Sequence, residues 1–349
     1  MRVTRRHILA GAAGAPLLMA GPMLTGGGGA RAADTPFVAN TYGGRWETFW
    51  RSQLLPKLQP ALNAPITVDV GLGSSWVASF RTAGPKAPPF SCLMTNERYA
   101  VLLREQGFFE PLPVAAIPNL QDVYPVARYP GDVAVTGMIS PFGIAYRTDM
   151  VKVPPKSWRD LWNPAYRGQI GFYSINNSAA VMLIMLAGKM FGSGEQDIDT
   201  GIRKLAELKP FPQVGFSGQL SPLLAQGQVS LAPIDYAEAA SLQKKGVPIG
   251  MVVPEDGVLM YDQAFNIAAA RAGQEQAAKY IDFMLSPEIQ LMLAQEFFVA
   301  PVNRKVKVPD ELKGAIPVSG DDLKNILTFD WSFVAKHNSE ISEQWSKAI

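Results

Sequence analysis

Short apolar runs alternate with longer amphipathic segments from residue 37 onward, and this alternation is typical of βα units. It predicts strands over 37–40, over 66–70 and around Cys92, each followed by a helix. Each of these strands ends in a loop of small or polar residues. In an open α/β sheet such loops bind ligands, because helix N-termini and free backbone amides converge beyond the carboxyl ends of the strands.

A second set of elements follows an irregular stretch rich in proline at 111–130. The serine and aspartate at 157 and 160 have the spacing of a capped first helical turn. The apolar run at 258–268 is too long for a strand confined to one half of the chain, so we predict that it crosses between two halves. Further strands are predicted at 169–173, 229–234 and 249–254, and a buried helix at 179–190.

We therefore predict an α/β fold of two lobes, each a mostly parallel sheet flanked by helices, joined by hinge strands. The length of 349 residues supports this division, because a single domain usually contains about 100–200 residues. Lobe 1 is predicted to comprise 33–140 with 264–312, and lobe 2 to comprise 141–263. A C-terminal helical segment at 313–349 is predicted to pack on the lobes.

Residues 1–32 have the layout of a cleaved export signal. The pair Arg5-Arg6 precedes a stretch of apolar and small residues, and small residues precede a plausible cleavage after Ala32. The arginine pair resembles a twin-arginine signal, which exports proteins already folded. A retained membrane anchor is the alternative, although the glycines and prolines of this stretch make a poor spanning helix. The mature chain is thus expected to be periplasmic.

Composition and charge exclude several classes of protein. With 48% hydrophobic and 18% charged residues, the chain can bury a sizeable core and is not largely disordered. Residues 1–32 hold four of the 32 basic residues and none of the 30 acidic ones, so the remainder carries a net charge of −2. This balance gives no electrostatic reason to expect nucleic acid or an anionic membrane as a partner.

Histidine and cysteine are too scarce for most catalytic and metal sites. After residue 32, His337 and Cys92 are the only two. His337 lies in a polar C-terminal segment, which disfavours a Ser-His-Asp relay, and Cys92 lies in a short apolar run that predicts an inert buried thiol. The sequence contains no Gly-x-Ser-x-Gly, Walker or His-Glu-x-x-His motif. We expect neither a metal nor another cofactor.

Aromatic and polar side chains are concentrated at the predicted strand ends. Such a set can hold a small polar or cationic molecule without transforming it, although core packing is the alternative for each aromatic ring. Asp262 is the strongest candidate, because an acid inside an apolar crossing strand is costly unless a cation, hydrogen bonds or water compensate its charge. The predicted ligand-binding residues are Tyr42, Ser75, Trp76, Asn96, Ser174, Asn176, Asp235, Tyr236 and Asp262.

One motif carries a family resemblance. Residues 157–168 read Ser-Trp-x-Asp-Leu-Trp-x-Pro followed by Tyr-x-Gly, and 277–290 continues the similarity. The chain resembles the bacterial extracellular solute-binding proteins of ABC importers, in particular the spermidine/putrescine branch. The resemblance implies the type II periplasmic-binding fold, closure of two lobes on a solute, and a carboxylate at Asp262 that faces an ammonium group. Met260 and Pro233 stand where this branch has aromatic residues, so a smaller amine, an amino acid derivative or another polar metabolite fits as well.

The leading hypothesis is a monomeric periplasmic binding protein of an ABC importer. Its predicted partners are a small polar solute and the permease subunits of the inner membrane. The solute is expected to be a cation, either polyamine-like or another amine. One alternative is an exported hydrolase that uses carboxylates of the same cleft, with Glu97 and Asp69 as further candidates. Another is a ligand-sensing partner of a membrane receptor, which shares the fold.

Overall fold

The computed structural model describes residues 36–349, so the predicted export signal at 1–32 lies outside the described residues. Within that range no helix combines the length and apolar character needed to cross a membrane. The strands are β1 (Phe37–Thr41), β2 (Ile66–Val70), β3 (Cys92–Thr95), β4 (Phe109–Glu110), β5 (Val135–Arg147), β6 (Phe172–Tyr173), β7 (Gln213–Val214), β8 (Leu231–Asp235), β9 (Ile249–Val252) and β10 (Leu259–Ala268). The helices are α1 (Arg45–Phe49), α2 (Leu55–Leu62), α3 (Gly73–Ala83), α4 (Glu97–Arg104), α5 (Ser178–Phe191), α6 (Ile198–Ala206), α7 (Ser217–Ala225), α8 (Tyr236–Lys244), α9 (Gln274–Leu285), α10 (Pro287–Phe297), α11 (Asp310–Lys313) and α12 (Trp331–Ala348).

The largest sheet is antiparallel. Its strand order is β3-β10-β5-β8, with β4 paired to β10 and β9 paired to β5. In the described part of the chain, parallel pairing between named strands occurs in β1-β2 and β6-β7. The prediction of mostly parallel sheets is therefore correct only for these two small sheets. Strands β3 and β5 of this antiparallel sheet are buried on both faces, so they lack the apolar-polar alternation by which antiparallel strands are usually recognised.

Two long strands connect the two main hydrophobic cores. Along β5, Ile139 belongs to the first core and Phe142 to the second. Along β10, Leu259 belongs to the second core and Phe265 to the first. The run at 258–268 therefore crosses between two halves, as its length predicted. We call the parts packed around the first and second cores lobe 1 and lobe 2.

Local patterns predicted several elements of lobe 2 well. The helix predicted at 179–190 is α5, which is buried along most of its length. The capped turn predicted at 157–160 is also present, since Ser157 accepts a hydrogen bond from the Arg159 amide at 3.0 Å and Asp160 accepts one from the Ser157 amide at 3.0 Å. A 3₁₀ segment at Trp158–Trp162 follows that cap, and a second one, Pro164–Tyr166, begins at Pro164.

Gly143 on β5 is a point of close backbone approach between the two lobes. A Cβ atom there would lie 2.0 Å from the Tyr236 hydroxyl oxygen and 2.5 Å from the Val252 carbonyl oxygen, two atoms that are hydrogen-bonded to each other at 2.6 Å. We expect Gly143→Ala to lower the free energy of unfolding by about 1–2 kcal/mol through overpacking, as measured by urea denaturation. Gly314→Ala is the control, because a Cβ there meets no atom within 4 Å; equal losses in both variants would contradict the expectation.

Candidate functional site

A polar cluster forms where β6, β8 and β10 meet the N-termini of α5 and α7. The Tyr173 and Ser217 hydroxyl oxygens are 2.9 Å apart, and the Tyr261 hydroxyl donates to Asn177 Oδ1 at 2.9 Å. The Asp235 carboxylate lies close to the Ser217 hydroxyl. We call these five residues the lobe 2 cluster. It places one carboxylate among three hydroxyl groups and an amide.

The carboxylate of Asp235 is buried and has no cationic partner among residues 36–349. Its residue is 7% exposed, and no lysine or arginine of residues 36–349 forms an ion pair with it. Burial raises the pKa of Asp235 to about 6, and the nearby Glu238 carboxylate adds to this effect, whereas the Ser217 hydroxyl opposes it. The side chain also caps α8, since Oδ1 accepts a hydrogen bond from the Glu238 amide at 3.1 Å. At neutral pH the cluster thus contains an uncompensated negative charge.

Two neighbouring aromatic side chains, Tyr42 and Trp76, form what we call the lobe 1 wall. Tyr42 lies at the end of β1, with its ring centroid 5.4 Å from that of Trp76. The Tyr42 hydroxyl donates to Gln263 Oε1 at 2.8 Å, and the Trp76 indole donates to Asp69 Oδ2 at 2.8 Å. Gln263 follows Tyr261 by two positions on β10, so both side chains project from the same face of the strand. Tyr42 and the lobe 2 cluster therefore border the same side of the crossing strand.

Helix α4 of lobe 1 touches a loop of lobe 2 directly. The Arg98 guanidinium, in the first turn of α4, donates to the carbonyl oxygens of Ile175 at 3.2 Å and Asn176 at 3.3 Å. The side chain of Asn176 is itself exposed, and the Ser174 amide is bound to the Val214 carbonyl at 2.8 Å. The loop that contains Ser174 and Asn176 is therefore in contact with lobe 1, and the role of both residues in ligand binding stays a prediction.

Three of the predicted ligand-binding residues, Ser75, Trp76 and Tyr236, make contacts within the fold itself. Ser75 is exposed, and its hydroxyl completes a cap with Leu72, accepting from the amide at 3.0 Å and donating to the carbonyl at 2.8 Å. Trp76 is only 1% exposed. Tyr236 is also 1% exposed, and its hydroxyl donates to the Val252 carbonyl at 2.6 Å. The structure places Tyr236 against β5, away from the lobe 2 cluster, and its role in ligand binding stays a prediction.

Asp262 lies on the opposite face of β10 from Tyr261. Its Oδ2 accepts hydrogen bonds from the Glu97 amide at 2.8 Å and from the Tyr129 hydroxyl at 3.1 Å, and its carbonyl accepts one from Asn96. Burial, followed by the Glu97 carboxylate, raises the pKa of Asp262 to about 7. The structure therefore joins Asn96 to Asp262, and the Asp262 carboxylate lies near enough to Tyr42 for its charge to add to burial in raising the pKa of the Tyr42 phenol. The predicted contact of Asp262 with a solute remains untested.

Four residues of this region were missed by sequence reasoning. Tyr173, Asn177 and Ser217 lie in separate segments and meet only in three dimensions, so no local pattern connects them. Gln263 could have been found, because it follows Tyr261 by two positions on a predicted strand and therefore shares its face.

Comparison with known sequences identifies the family. Residues 92–322 match the sequence model described as bacterial extracellular solute-binding protein. The chain belongs to this family. It consists of solute-binding proteins and not of enzymes, which confirms the predicted resemblance and the prediction of a non-enzymatic protein.

The relatives of this solute-binding protein are distant in sequence. The spermidine/putrescine-binding periplasmic protein of Escherichia coli (strain K12) is 23% identical over 218 residues, which cover 59% of this chain and 61% of that protein. The chain thus matches less than two thirds of the length of this relative.

Solved structures show the α/β periplasmic binding protein fold. An ABC transporter protein from Clostridium perfringens has a TM-score of 0.78 at 21% identity, over 89% of this chain and 99% of that chain. The spermidine/putrescine ABC transporter substrate-binding protein from Streptococcus pneumoniae has a TM-score of 0.71 at 19% identity, over 90% and 99%. At these identities the likeness concerns the fold.

Proposed function

We propose that this chain is the periplasmic substrate-binding component of an ABC importer, which captures a small cationic solute, polyamine-like or another amine, and delivers it to the permease subunits. The observation that carries the proposal is the buried Asp235 carboxylate, which has no ion-pair partner within residues 36–349 and lies beside Tyr173 and Tyr261. Export through the twin-arginine route, directed by residues 1–32, is part of the same proposal.

An ammonium group fits the chemistry of the lobe 2 cluster. Its N–H groups would donate to the Asp235 carboxylate, and the faces of tyrosine rings attract cations. Burial raises the pKa of Tyr261, so its phenol stays protonated and offers a neutral oxygen as a further acceptor. A solute with an amine at one end thus meets a negative charge, hydroxyl oxygens and an aromatic surface. The polyamines in the names of the two relatives from Escherichia coli and Streptococcus pneumoniae support this class of solute.

Closure of the two lobes provides the means of capture and release. Tyr42 of lobe 1 is joined to the crossing strand through Gln263, and Arg98 of lobe 1 is bound to the loop that precedes α5 in lobe 2. A solute that contacts both walls binds more tightly when these contacts are formed than when the lobes are apart. It therefore shifts the population towards the closed form by its difference in affinity for the two states.

A thermal-shift panel tests the proposal. Putrescine, spermidine and a zwitterionic amino acid are compared with 1,4-butanediol, which matches putrescine in length but has no charge. At a free concentration of about 100 times the dissociation constant, a true ligand is expected to stabilise the fold by about 2.7 kcal/mol. Mass spectrometry of the recovered ligand should show it unchanged. Flat melting curves with every amine, or a shift with the diol alone, would contradict capture of a cationic solute, and a chemically altered ligand would favour the hydrolase alternative.

A further inference from the structure

Helix α3 of lobe 1 begins at the edge of the sheet that carries Tyr42. The helix starts just after the end of β2, and Tyr42 follows the end of β1. Because β1 and β2 are parallel, both positions lie at the same edge of their sheet. Ser74 and Ser75 in the first turn of α3 are exposed. The positive end of the helix dipole is therefore accessible beside the lobe 1 wall.

The first turn of α3 has three backbone amides without an acceptor. Leu72 precedes the helix, and its side chain has no oxygen that could cap them. Within residues 36–349, the amides of Gly73, Ser74 and Ser75 donate to no other residue. The Ser75 hydroxyl does not serve them, because it is bonded to the amide and the carbonyl of Leu72. Free N–H groups at the start of a helix are suited to binding an anion.

A buried hydroxyl without a partner lies beside these amides. Thr95 at the end of β3 is fully buried, and its Oγ1 has no hydrogen-bond partner in the part of the chain that the structure describes. A Cβ atom at Gly73 would lie 2.9 Å from this oxygen, so the hydroxyl lies against the first residue of α3. The Tyr42 hydroxyl is also close to Thr95. A buried hydroxyl without a partner is costly, and an anion at the start of α3 would accept its hydrogen bond.

Arg98 adds a positive charge that has no acidic partner. Its side chain is half-buried, and no Asp or Glu in the described range forms an ion pair with it. The guanidinium lies 5.9 Å from the centroid of the Tyr99 ring, and that ring packs directly on Gly73, where a Cβ atom would collide with it. The unpaired charge therefore lies on the side of α4 that faces the start of α3.

The acids in this part of lobe 1 already have donors. The Trp76 indole donates to Asp69, Arg104 is ion-paired with Glu97, and the Glu97 amide donates to Asp262. In lobe 2 the situation is reversed, since the buried Asp235 carboxylate has no ion-pair partner among residues 36–349. The two lobes thus offer groups of opposite sign to a solute.

We propose that the solute is a zwitterion, whose carboxylate binds in lobe 1 to the first amides of α3, the Thr95 hydroxyl and Arg98, while its ammonium group binds Asp235 in lobe 2. This inference rests on the proposed function and narrows it from amines in general to amines that also carry an anionic group. A diamine would instead bring its second ammonium group towards the positive helix end and the guanidinium, which repel it. No bond is made or broken.

Calorimetric titration with matched pairs of ligands tests the proposal, at about pH 8 so that Asp235 is ionised. The amino acids β-alanine, 4-aminobutanoate and 5-aminopentanoate are each compared with the diamine that has the same number of carbon atoms. The amino acid that binds best should bind at least about tenfold more tightly than its diamine, because it gains charge-assisted hydrogen bonds in lobe 1.

Three variants locate the anionic end. Thr95→Val keeps the shape of the side chain, and it should weaken the amino acid about tenfold and leave the diamine unchanged. Because the Thr95 hydroxyl has no partner in the described range, this variant should be at least as stable as the wild type. Arg98→Gln should weaken the amino acid more than the diamine. The control is Ser230→Ala, which removes another buried hydroxyl without a described partner, at the end of β8 opposite Asp235.

The pattern of affinities separates this proposal from the proposed function. Diamines that bind as tightly as the amino acids, together with no effect of Thr95→Val, would overturn the zwitterion and leave the cationic solute intact. A loss in Arg98→Gln that is equal for both ligands would contradict its role as a partner of the carboxylate. Butanoate that binds as tightly as 4-aminobutanoate would support the anion site and contradict the cationic solute. The absence of any binding would overturn both.

Discussion

Asp262→Asn is expected to make the folded protein more stable at pH 8 than the wild type while leaving the two equally stable near pH 4. Burial and the Glu97 carboxylate raise the pKa of Asp262 from 3.8 to about 7. The folded protein therefore holds this proton more tightly than the unfolded chain does. The protonated carboxyl makes its full contribution to the free energy of unfolding below about pH 4, and this contribution is lost as the pH rises through about 7. Three pKa units, at about 1.4 kcal/mol each, amount to a loss of about 4 kcal/mol.

Urea denaturation at a series of pH values measures this loss directly. An asparagine cannot ionise, so the unfolding free energy of Asp262→Asn should lack this fall between about pH 4 and pH 8. Asp235 contributes a second, smaller fall that ends near pH 6, and this fall should persist in the variant. The buffers must contain no amines, because a bound cation would offset the cost of ionisation. Parallel curves for the variant and the wild type would show that Asp262 titrates normally.

The face occupied by Asp262 could not be predicted from the sequence. An acid in an apolar strand indicates that something compensates its charge, and the structure agrees, since a backbone amide and a hydroxyl bind it. The alternation of β10 also shows that Tyr261 and Asp262 project to opposite sides. Which side faces the lobe 2 cluster depends on pairing with β5, which lies more than 100 residues earlier, and on the register shift between Gln263 and Ala264.

Aromatic side chains near strand ends were the least predictable part of the site. Trp76 and Tyr236 each follow a predicted strand, as ligand-binding residues do, yet both are almost completely buried. A ring next to a loop can turn towards the cleft or towards the core, and the choice depends on the neighbouring space, such as that left open by Gly143 beneath Tyr236. Among the aromatic residues predicted to bind a ligand, Tyr42 is the one whose side chain is only half-buried, and its hydroxyl donates to Gln263 on β10.

The scaffold of the site was more predictable than its contents. Helix α5 and the crossing of β10 follow from local hydrophobic patterns and run length, which neighbouring residues determine. The lobe 2 cluster depends on contacts between segments far apart in the chain, such as Tyr173 with Ser217. Local patterns therefore identified Asp235 as a candidate, and only the folded chain shows that it has no cationic neighbour in the described range.

Asp235→Asn is expected to weaken amine binding in the cleft by about 1.5–3 kcal/mol, or roughly 10- to 150-fold, through loss of a charge-assisted hydrogen bond. Asparagine retains the cap of α8, because its side-chain oxygen can still accept from the Glu238 amide, so the change isolates the charge. Wild-type affinity should rise as the pH increases through about 6, where Asp235 ionises, and the variant should lack this rise. Calorimetry with putrescine measures both effects, with the exposed Asp149→Asn as the control. If the affinity changes with pH equally in the variant and the wild type, a group other than Asp235 binds the cation.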